Sequence, residues 1–342
     1  MNLRLAARTA QRGGWFSRAD ALAAGYSDAD LRAHVTDGRW VRLCRGTYAE
    51  PGADPPATPW EWAVWRHMRL AKAAWTSLSG RAVISHQSAL LLHGADVSDL
   101  DLSRVHVTRI AGPGRTTAQV CQHLSGPPMR STVVGGVEVV TGPRAVVDAI
   151  RLATYPVAVA VVDAALRQGL ATAGQLREYA ELVAGSPGSR AAFRAIAFGN
   201  PLAESVGESR LRLVLADLGL PEPTLQAEIR DDLGRLVGRV DFLLDQWSVV
   251  VEFDGRIKYS TGDAAVLVAE KLREDRLRDL GYQVVRAGWS DLTQPAGFIG
   301  RLNRAIDRSR RASRPAGTAT PATAEPVAAH LRPQASVLSG VS

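Results

Sequence analysis

The chain has 342 residues, with 41 Lys and Arg against 34 Asp and Glu and a formal net charge of +7. Its two cysteines, Cys44 and Cys121, exclude a disulfide scaffold or a thiolate zinc site and indicate a reducing compartment. No apolar run approaches the ~18 residues of a membrane helix, and the first residues lack the ~7–15-residue apolar core of a signal peptide. We therefore expect a cytoplasmic protein whose mildly basic surface favours nucleic acid, and not a membrane, as its partner.

The sequence divides into four segments, and their patterns predict a multidomain α/β (α+β) fold. Residues 1–50 are compact and helix-rich, and a proline-containing linker at 51–56 separates them from a mixed α/β stretch at 59–195. Residues 200–308 have a distinct pattern of strands and helices. Residues 309–342 are rich in Ala, Pro, Thr and Ser without an apolar period, which predicts a disordered tail.

Residues 1–50 have the pattern of a winged helix-turn-helix. Ser17 and Ser27 are each placed to cap a short helix, and residues 40–49 predict a β-hairpin after the second helix. Two helices joined by a short glycine-containing turn and followed by a hairpin place one helix in the DNA major groove. Three apolar positions of the second helix are expected to face the core: Ala29, Leu31 and Val35.

The arginines of this segment are candidate DNA contacts. We expect Arg32 and His34 to reach the groove, and Arg39, Arg42 and Arg45 to lie along the wing near phosphates. A small protein-binding module with a solvated basic face would carry the same arginines, so both interpretations remain open.

Several stretches resemble AbiEi-type antitoxins. Residues 14–17, 25–27 and 38–48 look like the winged-helix N-terminal domain of that family. The middle segment resembles the family's next region at three motifs: residues 83–89, 105–109 and 140–148. The resemblance covers roughly the first half of the chain and implies a cytoplasmic, DNA-binding transcriptional repressor, with a cognate toxin as a second partner.

The polar residues that stand out in the middle segment do not by themselves form a catalytic or metal-binding pattern. His86 and His93 are seven residues apart and share a helix face, but no carboxylate accompanies them, so we interpret them as hydrogen-bonded packing residues and not as a metal site. Asp148 and Asp163 lie in apolar helical stretches, and we interpret them as helix-surface or capping residues.

Residues 200–308 predict the order helix, three strands, helix, strand, with acidic residues where the strands would otherwise be apolar. Asp241 lies in the second strand, and the third runs from a buried stretch into Glu252 and Asp254. Burying such groups requires a cation or hydrogen bonds. Together with Glu208 on the first helix, they offer hard oxygen ligands suited to Mg²⁺ or Mn²⁺. A metal held there could activate water for phosphodiester hydrolysis.

This segment resembles the PD-(D/E)XK nuclease superfamily, in the branch similar to very-short-patch-repair endonucleases. The matching stretches are residues 207–212, 239–242, 251–255, 270–275 and 278–286. The resemblance implies that Asp241 and Glu252 hold the metal, that Glu208 supports it from the helix, and that Asp254 lies nearby.

The superfamily's usual lysine, two residues after the second acid, is replaced by Asp254. Lys271 on the following helix could supply that cation, and Lys258 is the other candidate. Both stand out because only three of the 41 basic residues are lysines, the third being Lys72.

Two functions therefore remain open. The first is a Mg²⁺-dependent DNA endonuclease or nickase targeted by the winged helix. The second is a non-catalytic AbiEi-like regulator of operator DNA that keeps the nuclease fold as a binding module, in which Glu252 and Asp254 are surface acids paired with Arg256 and Arg273. A weaker third interpretation is a protein–protein adaptor in phage defence.

Overall fold

The computed structural model describes residues 1–110, 112, 114, 116–124, 126, 130–255 and 264–321. It has the predicted mixed α/β fold, with helices and three β-sheets. The chain forms two compact units, one from residues 1–161 and 170–198 and the other from 162–169 and 199 onward. Within the described residues, no helix combines the length and the apolar character needed to cross a bilayer.

The first 50 residues form three helices and a small antiparallel sheet. In chain order, the elements are α1 (Leu3–Gln11), β1 (Phe16–Ser17), α2 (Arg18–Ala23), α3 (Asp28–Thr36), β2 (Val41–Cys44) and β3 (Thr47–Ala49). The strand order is β1-β3-β2. The two predicted helices and the hairpin are confirmed, while α1 and the short β1 are additional elements.

Helices α2 and α3 begin at the predicted serines, each in a reciprocal capping box. The Asp20 amide donates to Ser17 Oγ at 3.1 Å, and the Asp20 carboxylate accepts from the Ser17 amide at 2.9 Å. Ser27 and Asp30 repeat the arrangement at the start of α3. These contacts satisfy backbone donors that a helix N-terminus would otherwise leave unpaired.

A small aromatic core lies beneath these helices. Phe16 and Trp40 are buried and meet edge to face, with ring centroids 4.9 Å apart. Leu31 is buried against this core and Val35 is partly buried, as predicted, but Ala29 is exposed. A helix as short as α3 presents one face to so small a core, and Ala29 lies on the other.

The rest of the first unit surrounds a five-stranded mixed sheet. Its elements are α4 (Pro59–Leu78), β4 (Ala82–Ile84), α5 (His86–Leu92), β5 (Val105–Arg109), β6 (Val120–Leu124), β7 (Ser131–Val134), β8 (Val137–Val140), α6 (Gly142–Ile150), α7 (Tyr155–Arg167), α8 (Ala173–Leu182) and α9 (Ser189–Phe198). The strand order is β6-β5-β4-β8-β7. The last residues of α7 belong to the second unit.

Asp148 and Asp163 are buried ion-pair partners, so their interpretation as surface or capping residues was wrong. Asp148 Oδ2 accepts from Arg144 Nε at 2.6 Å, and Asp163 Oδ2 accepts from Arg212 Nη1 at 2.8 Å. All four side chains are nearly inaccessible to solvent. The apolar stretches accommodate these carboxylates because a guanidinium lies against each one.

The second unit is built on another five-stranded sheet. Its further elements are α10 (Val206–Asp217), β9 (Thr224–Arg230), β10 (Leu236–Leu244), β11 (Val249–Asp254), α11 (Ala264–Asp279), β12 (Gln283–Gly288), α12 (Trp289–Thr293), α13 (Ala296–Arg311) and β13 (Thr318–Thr320). The strand order is β12-β11-β10-β9-β13, with β12 parallel to β11 and the other pairs antiparallel. The predicted order of helix, three strands, helix and strand is confirmed.

Ordered structure continues beyond Ser309, where the sequence predicted a disordered tail to begin. Helix α13 ends at Arg311, and Thr318 of β13 pairs with Arg230 of β9. The predicted start of the tail was therefore too early, because a short segment without apolar periodicity can still complete a sheet edge through its backbone. Residues 322–342 of the predicted tail lie outside the described residues.

The capping box of α2 gives a test of the N-terminal fold. Replacing Ser17 with Ala should destabilise this region by about 1 kcal/mol, because the Asp20 amide loses its acceptor. Hydrogen exchange of the α2 amides in the full chain should accelerate accordingly. Thr36→Ala, an exposed change at the end of α3, is the control. Unchanged α2 protection in Ser17→Ala would contradict the assigned cap.

Candidate functional site

Asp241 and Glu252 lie side by side where the ladder between β10 and β11 ends. The last pair of that antiparallel ladder is Phe242 with Val251, and the two acids are the next residues along their strands. Asp241 Oδ2 accepts a hydrogen bond from the Phe253 amide at 2.8 Å. The structure therefore brings these two predicted site residues together at one cleft.

Glu252 is held by two arginines. Its Oε1 is 2.7 Å from Arg273 Nη2 on α11, and its Oε2 is 3.5 Å from Arg286 Nη2 on β12. Glu270 lies 2.8 Å from the same nitrogen of each arginine. The result is a network of acids and arginines in which the half-buried Arg273 contacts both Glu252 and Glu270.

Glu208 lies at the first turn of α10 and has its oxygens occupied. Its Oε2 accepts from the Glu204 amide at 2.8 Å and from Gln226 Nε2 at 3.0 Å, and its Oε1 accepts from Ser205 Oγ at 2.8 Å. It thus caps the helix and anchors it to β9. The preceding Gly207 lets α10 approach β11 closely, since a Cβ there would lie 1.9 Å from the Phe253 ring.

All three acids have a pKa above the ordinary value for their side chain. Burial raises the pKa of Asp241 to about 6, although its hydrogen bond from the Phe253 amide opposes the shift. Burial also raises the pKa of Glu208 and of Glu252, the latter against the lowering effect of Arg273. Raised carboxylate pKa values occur at functional sites and also in structural ion-pair networks.

The acids differ in how well they fit a metal ion. In the described part of the chain, Glu208, Asp241 and Glu252 do not form a group whose ligand oxygens all lie within 4.8 Å of one another. Asp254 is exposed at the end of β11. Asp241 and Glu252 remain as two neighbouring carboxylates, and Mg²⁺ is commonly bound by one or two carboxylates together with water.

Among the residues that the structure describes, the basic side chains that line the cleft all belong to arginines. The lining residues are Arg239, Asp241, Glu252, Phe253, Asp254, Glu270, Arg273 and Arg286. Lys271 is exposed on α11 and is not among them. Lys258 and Arg256 lie outside the described residues.

The four arginines predicted to contact DNA are all exposed: Arg32, Arg39, Arg42 and Arg45. Arg39 pairs with Asp37 at 2.7 Å. His34, expected to reach the groove, instead packs on Trp40 with ring centroids 4.3 Å apart. Its imidazole is therefore part of the aromatic core of this segment.

One interpretation of the sequence paired Glu252 and Asp254, as surface acids, with Arg256 and Arg273; Arg273 does contact Glu252, but Glu252 is buried. The roles of Glu270 and Arg286 were not predicted. Glu270 lies three residues before Arg273, and that helical spacing brings both onto one face. No signal in the sequence identifies Arg286, because its contact arises from the parallel pairing of β12 with β11, in which it is opposite Glu252.

The exposed arginines lie in a segment that is similar to a known family of transcriptional regulators. Residues 4–51 match a family of transcriptional regulators described as the AbiEi antitoxin. The match spans α1 to β3, the helices and hairpin described above.

Over most of its length the chain is also similar to two uncharacterized proteins, MT2308 and Rv2248, from two strains of Mycobacterium tuberculosis. Each is 29% identical over 284 residues, which is 82% of this chain and 98% of the relative. The similarity therefore extends well beyond the segment that matches the regulator family and covers parts of both units.

The raised pKa of Asp241 gives a pH test. Because its folded pKa of about 6 exceeds the ordinary value of 3.8, the folded protein binds this proton more tightly than the unfolded chain. The contribution of Asp241 to stability should therefore decrease as the pH rises from about 4 to about 7. Asp241→Asn should be more stable than the wild type at pH 7.5, with the difference shrinking towards pH 4, as measured by chemical unfolding.

The exposed Asp275→Asn on α11 is the matched control and should follow the wild type at every pH. The raised pKa values of Glu208 and Glu252 also make stability decrease as the pH rises. The difference in stability between Asp241→Asn and the wild type separates the contribution of Asp241 from theirs. If the difference in unfolding free energy between the wild type and Asp241→Asn does not depend on pH, the raised pKa of Asp241 is contradicted.

Proposed function

We propose that this chain is a DNA-binding transcriptional regulator of the AbiEi antitoxin type, with a cognate toxin as a second partner. The observation that carries the proposal is the match of residues 4–51 to that regulator family. The same residues form two capped helices followed by a β-hairpin, an arrangement that suits insertion of one helix into a major groove.

The solvent face of α3 has the chemistry of a recognition helix. Ala29, Arg32, Ala33 and Thr36 are exposed at spacings of three and four residues, so they form one stripe along the helix. Small side chains allow a helix to approach the bases closely, and alanine and threonine methyl groups contact thymine methyl groups. Arg32 adds the side chain that most often reads guanine.

The charge of this segment favours a phosphate-rich partner. Residues 1–50 contain eight arginines and five acidic residues. Asp20 is paired with Arg8 and Arg12, and Asp28 with Arg18, so these acids are balanced by neighbouring arginines. Arg39 is paired with Asp37, so Arg32, Arg42 and Arg45 are the exposed arginines that would attract phosphates.

Arginine variants of α3 and the hairpin test the proposal. Binding of the full chain to the DNA upstream of its own coding sequence should weaken in Arg32→Ala and in Arg42→Ala, because each removes an exposed guanidinium. Loss of a phosphate contact by Arg42→Ala should reduce the slope of log K against log salt by about 1. Arg32→Ala should weaken sequence preference as well, with a cost of about 1–3 kcal/mol at the contacted base.

Arg190→Ala, an exposed change on α9, is the control and should leave affinity and salt slope unchanged. DNA selected from a random pool serves as a second probe. Equal affinities for all four proteins on both probes would contradict DNA recognition through α3 and the hairpin.

Metal-dependent DNA cleavage is a second candidate function. It is favoured by the position of the partly buried Asp241 and the buried Glu252 at the end of a strand ladder, both with a raised pKa. Bound Mg²⁺ would supply an activated water at this pair. Arg273 and Arg286 hold Glu252 in the observed arrangement, so an ion there shares this carboxylate with two guanidinium groups.

Plasmid nicking separates the two functions. If the chain cleaves DNA, supercoiled plasmid should be converted to open circles in Mg²⁺ or Mn²⁺, and Glu252→Gln should abolish the conversion. Arg32→Ala should retain cleavage of non-specific DNA, since it leaves the cleft intact. DNA binding by the wild type without nicking in either metal would eliminate the nuclease candidate and leave the regulator proposal standing.

A further inference from the structure

Three histidines from different elements of the first unit converge in its interior. His86 begins α5, His106 lies in β5 and His123 lies in the neighbouring β6. One ring nitrogen of each is within 4.8 Å of those of the other two. Among the residues that the structure describes, this is the one group of three metal-binding side chains that meets this distance.

The rings contact one another directly. His106 Nδ1 and His123 Nε2 are 2.9 Å apart, and His86 stacks on His123 with ring centroids 3.8 Å apart. His86 has a φ of +53°, in the left-handed region that residues with a side chain rarely adopt. Such strain persists where the surrounding structure holds it, and it is frequent at ligand sites.

The cluster is in the form that binds metals. Burial lowers the pKa of His86 well below its ordinary value and the pKa of His106 to about 4, and it also lowers the pKa of His123. The three rings are therefore neutral at pH 7. A neutral imidazole has the lone pair that a metal needs, whereas an anion would require protonated rings.

One carboxylate partly compensates the two nearest positive charges. Arg144 and Arg151 both act on His86 electrostatically. Asp148 lies between them, with its carboxylate oxygens 2.6 Å from Arg144 Nε and 3.7 Å from Arg151 Nη1. This pairing reduces the repulsion that the two arginines would exert on a cation at the histidines.

We propose that His86, His106 and His123 bind a transition-metal ion of the zinc class. A set of imidazoles suits Zn²⁺ and related ions, and it does not suit Mg²⁺, which prefers oxygen. The ion replaces the proton between His106 and His123. Because His123 is only partly buried, the site reaches solvent and leaves a coordination position for water or a small ligand.

Outer hydrogen bonds orient two of the rings. Ser85 Oγ lies 2.9 Å from His86 Nδ1, which leaves Nε2 of that ring for the ion. Gln87 Nε2 lies 2.9 Å from His106 Nε2, opposite the nitrogen that faces His123. When His106 binds metal through Nδ1, its Nε2 carries the proton, so the Gln87 amide must turn its oxygen towards that nitrogen and give up the hydrogen bond that its Nε2 donates to the Asp101 carbonyl at 3.1 Å. Such partners fix the tautomer of a metal-binding histidine.

Titration of the full, tag-free and chelator-treated chain with Zn²⁺ alone tests the site. We expect one ion to bind per chain by calorimetry, and Co²⁺ to give the visible absorption of a four-coordinate site. His123→Gln, at the most accessible ligand, should lower the affinity by more than about a hundredfold, because losing a ligand exceeds the usual effect of losing an outer partner.

His93→Gln is the matched control. His93 lies at the end of the same helix and hydrogen-bonds through Nε2 to the Val140 carbonyl at 2.8 Å, outside the cluster. It should retain wild-type Zn²⁺ affinity. The proposal would be overturned if His123→Gln and His93→Gln lost Zn²⁺ affinity equally, or if the folded wild type bound no Zn²⁺.

X-ray absorption of the Zn²⁺-loaded wild type gives a readout that needs no variant. Three imidazoles without a sulfur ligand are expected. A zinc–sulfur distance, which would point to Cys44 or Cys121, would overturn the histidine site. Stoichiometric phosphate binding in place of Zn²⁺ would overturn it as well and reassign the cluster, with Arg144, to an anion.

Discussion

The pairing of buried carboxylates with arginine is the constraint on which much of this protein depends. Asp148 with Arg144 in the first unit, and Asp163 with Arg212 in the second, are almost inaccessible ion pairs within apolar helical packing. An uncompensated carboxylate at either place would cost several kcal/mol, on the order of 3–5. An arginine is well suited to this role, since its planar fork offers several donors and it keeps its charge when buried.

The same constraint applies to the cleft that Asp241 and Glu252 line. Glu252 is buried at the end of a core strand, and its compensation comes from Arg273 and Arg286. A buried acid on a strand therefore does not require a metal, because a guanidinium can supply the positive charge. The histidine cluster is a different case. Its rings are neutral, and two of them share a hydrogen bond that a metal ion can replace.

Local sequence signals predicted the principal elements of residues 17–49 and 203–286. The serine caps of α2 and α3, the hairpin and the order of elements in the second unit were all predicted, because capping and strand periodicity depend on neighbouring residues. Predictions based on a residue's environment did less well. Ala29 was expected to be buried and is exposed, His34 packs on Trp40, and the first part of the expected tail adds a strand to a sheet.

The sequence by itself determined that Asp241 and Glu252 would lie on adjacent strands, since two short antiparallel strands joined by a tight connection have little choice of partner. It also placed Arg32, Arg39, Arg42 and Arg45 at the surface, where the structure has them exposed. Only the tertiary structure decided that Arg286 reaches Glu252 and that His86 meets His106 and His123 rather than His93. These contacts join residues far apart in the chain through strand pairing and packing, and no local spacing encodes them.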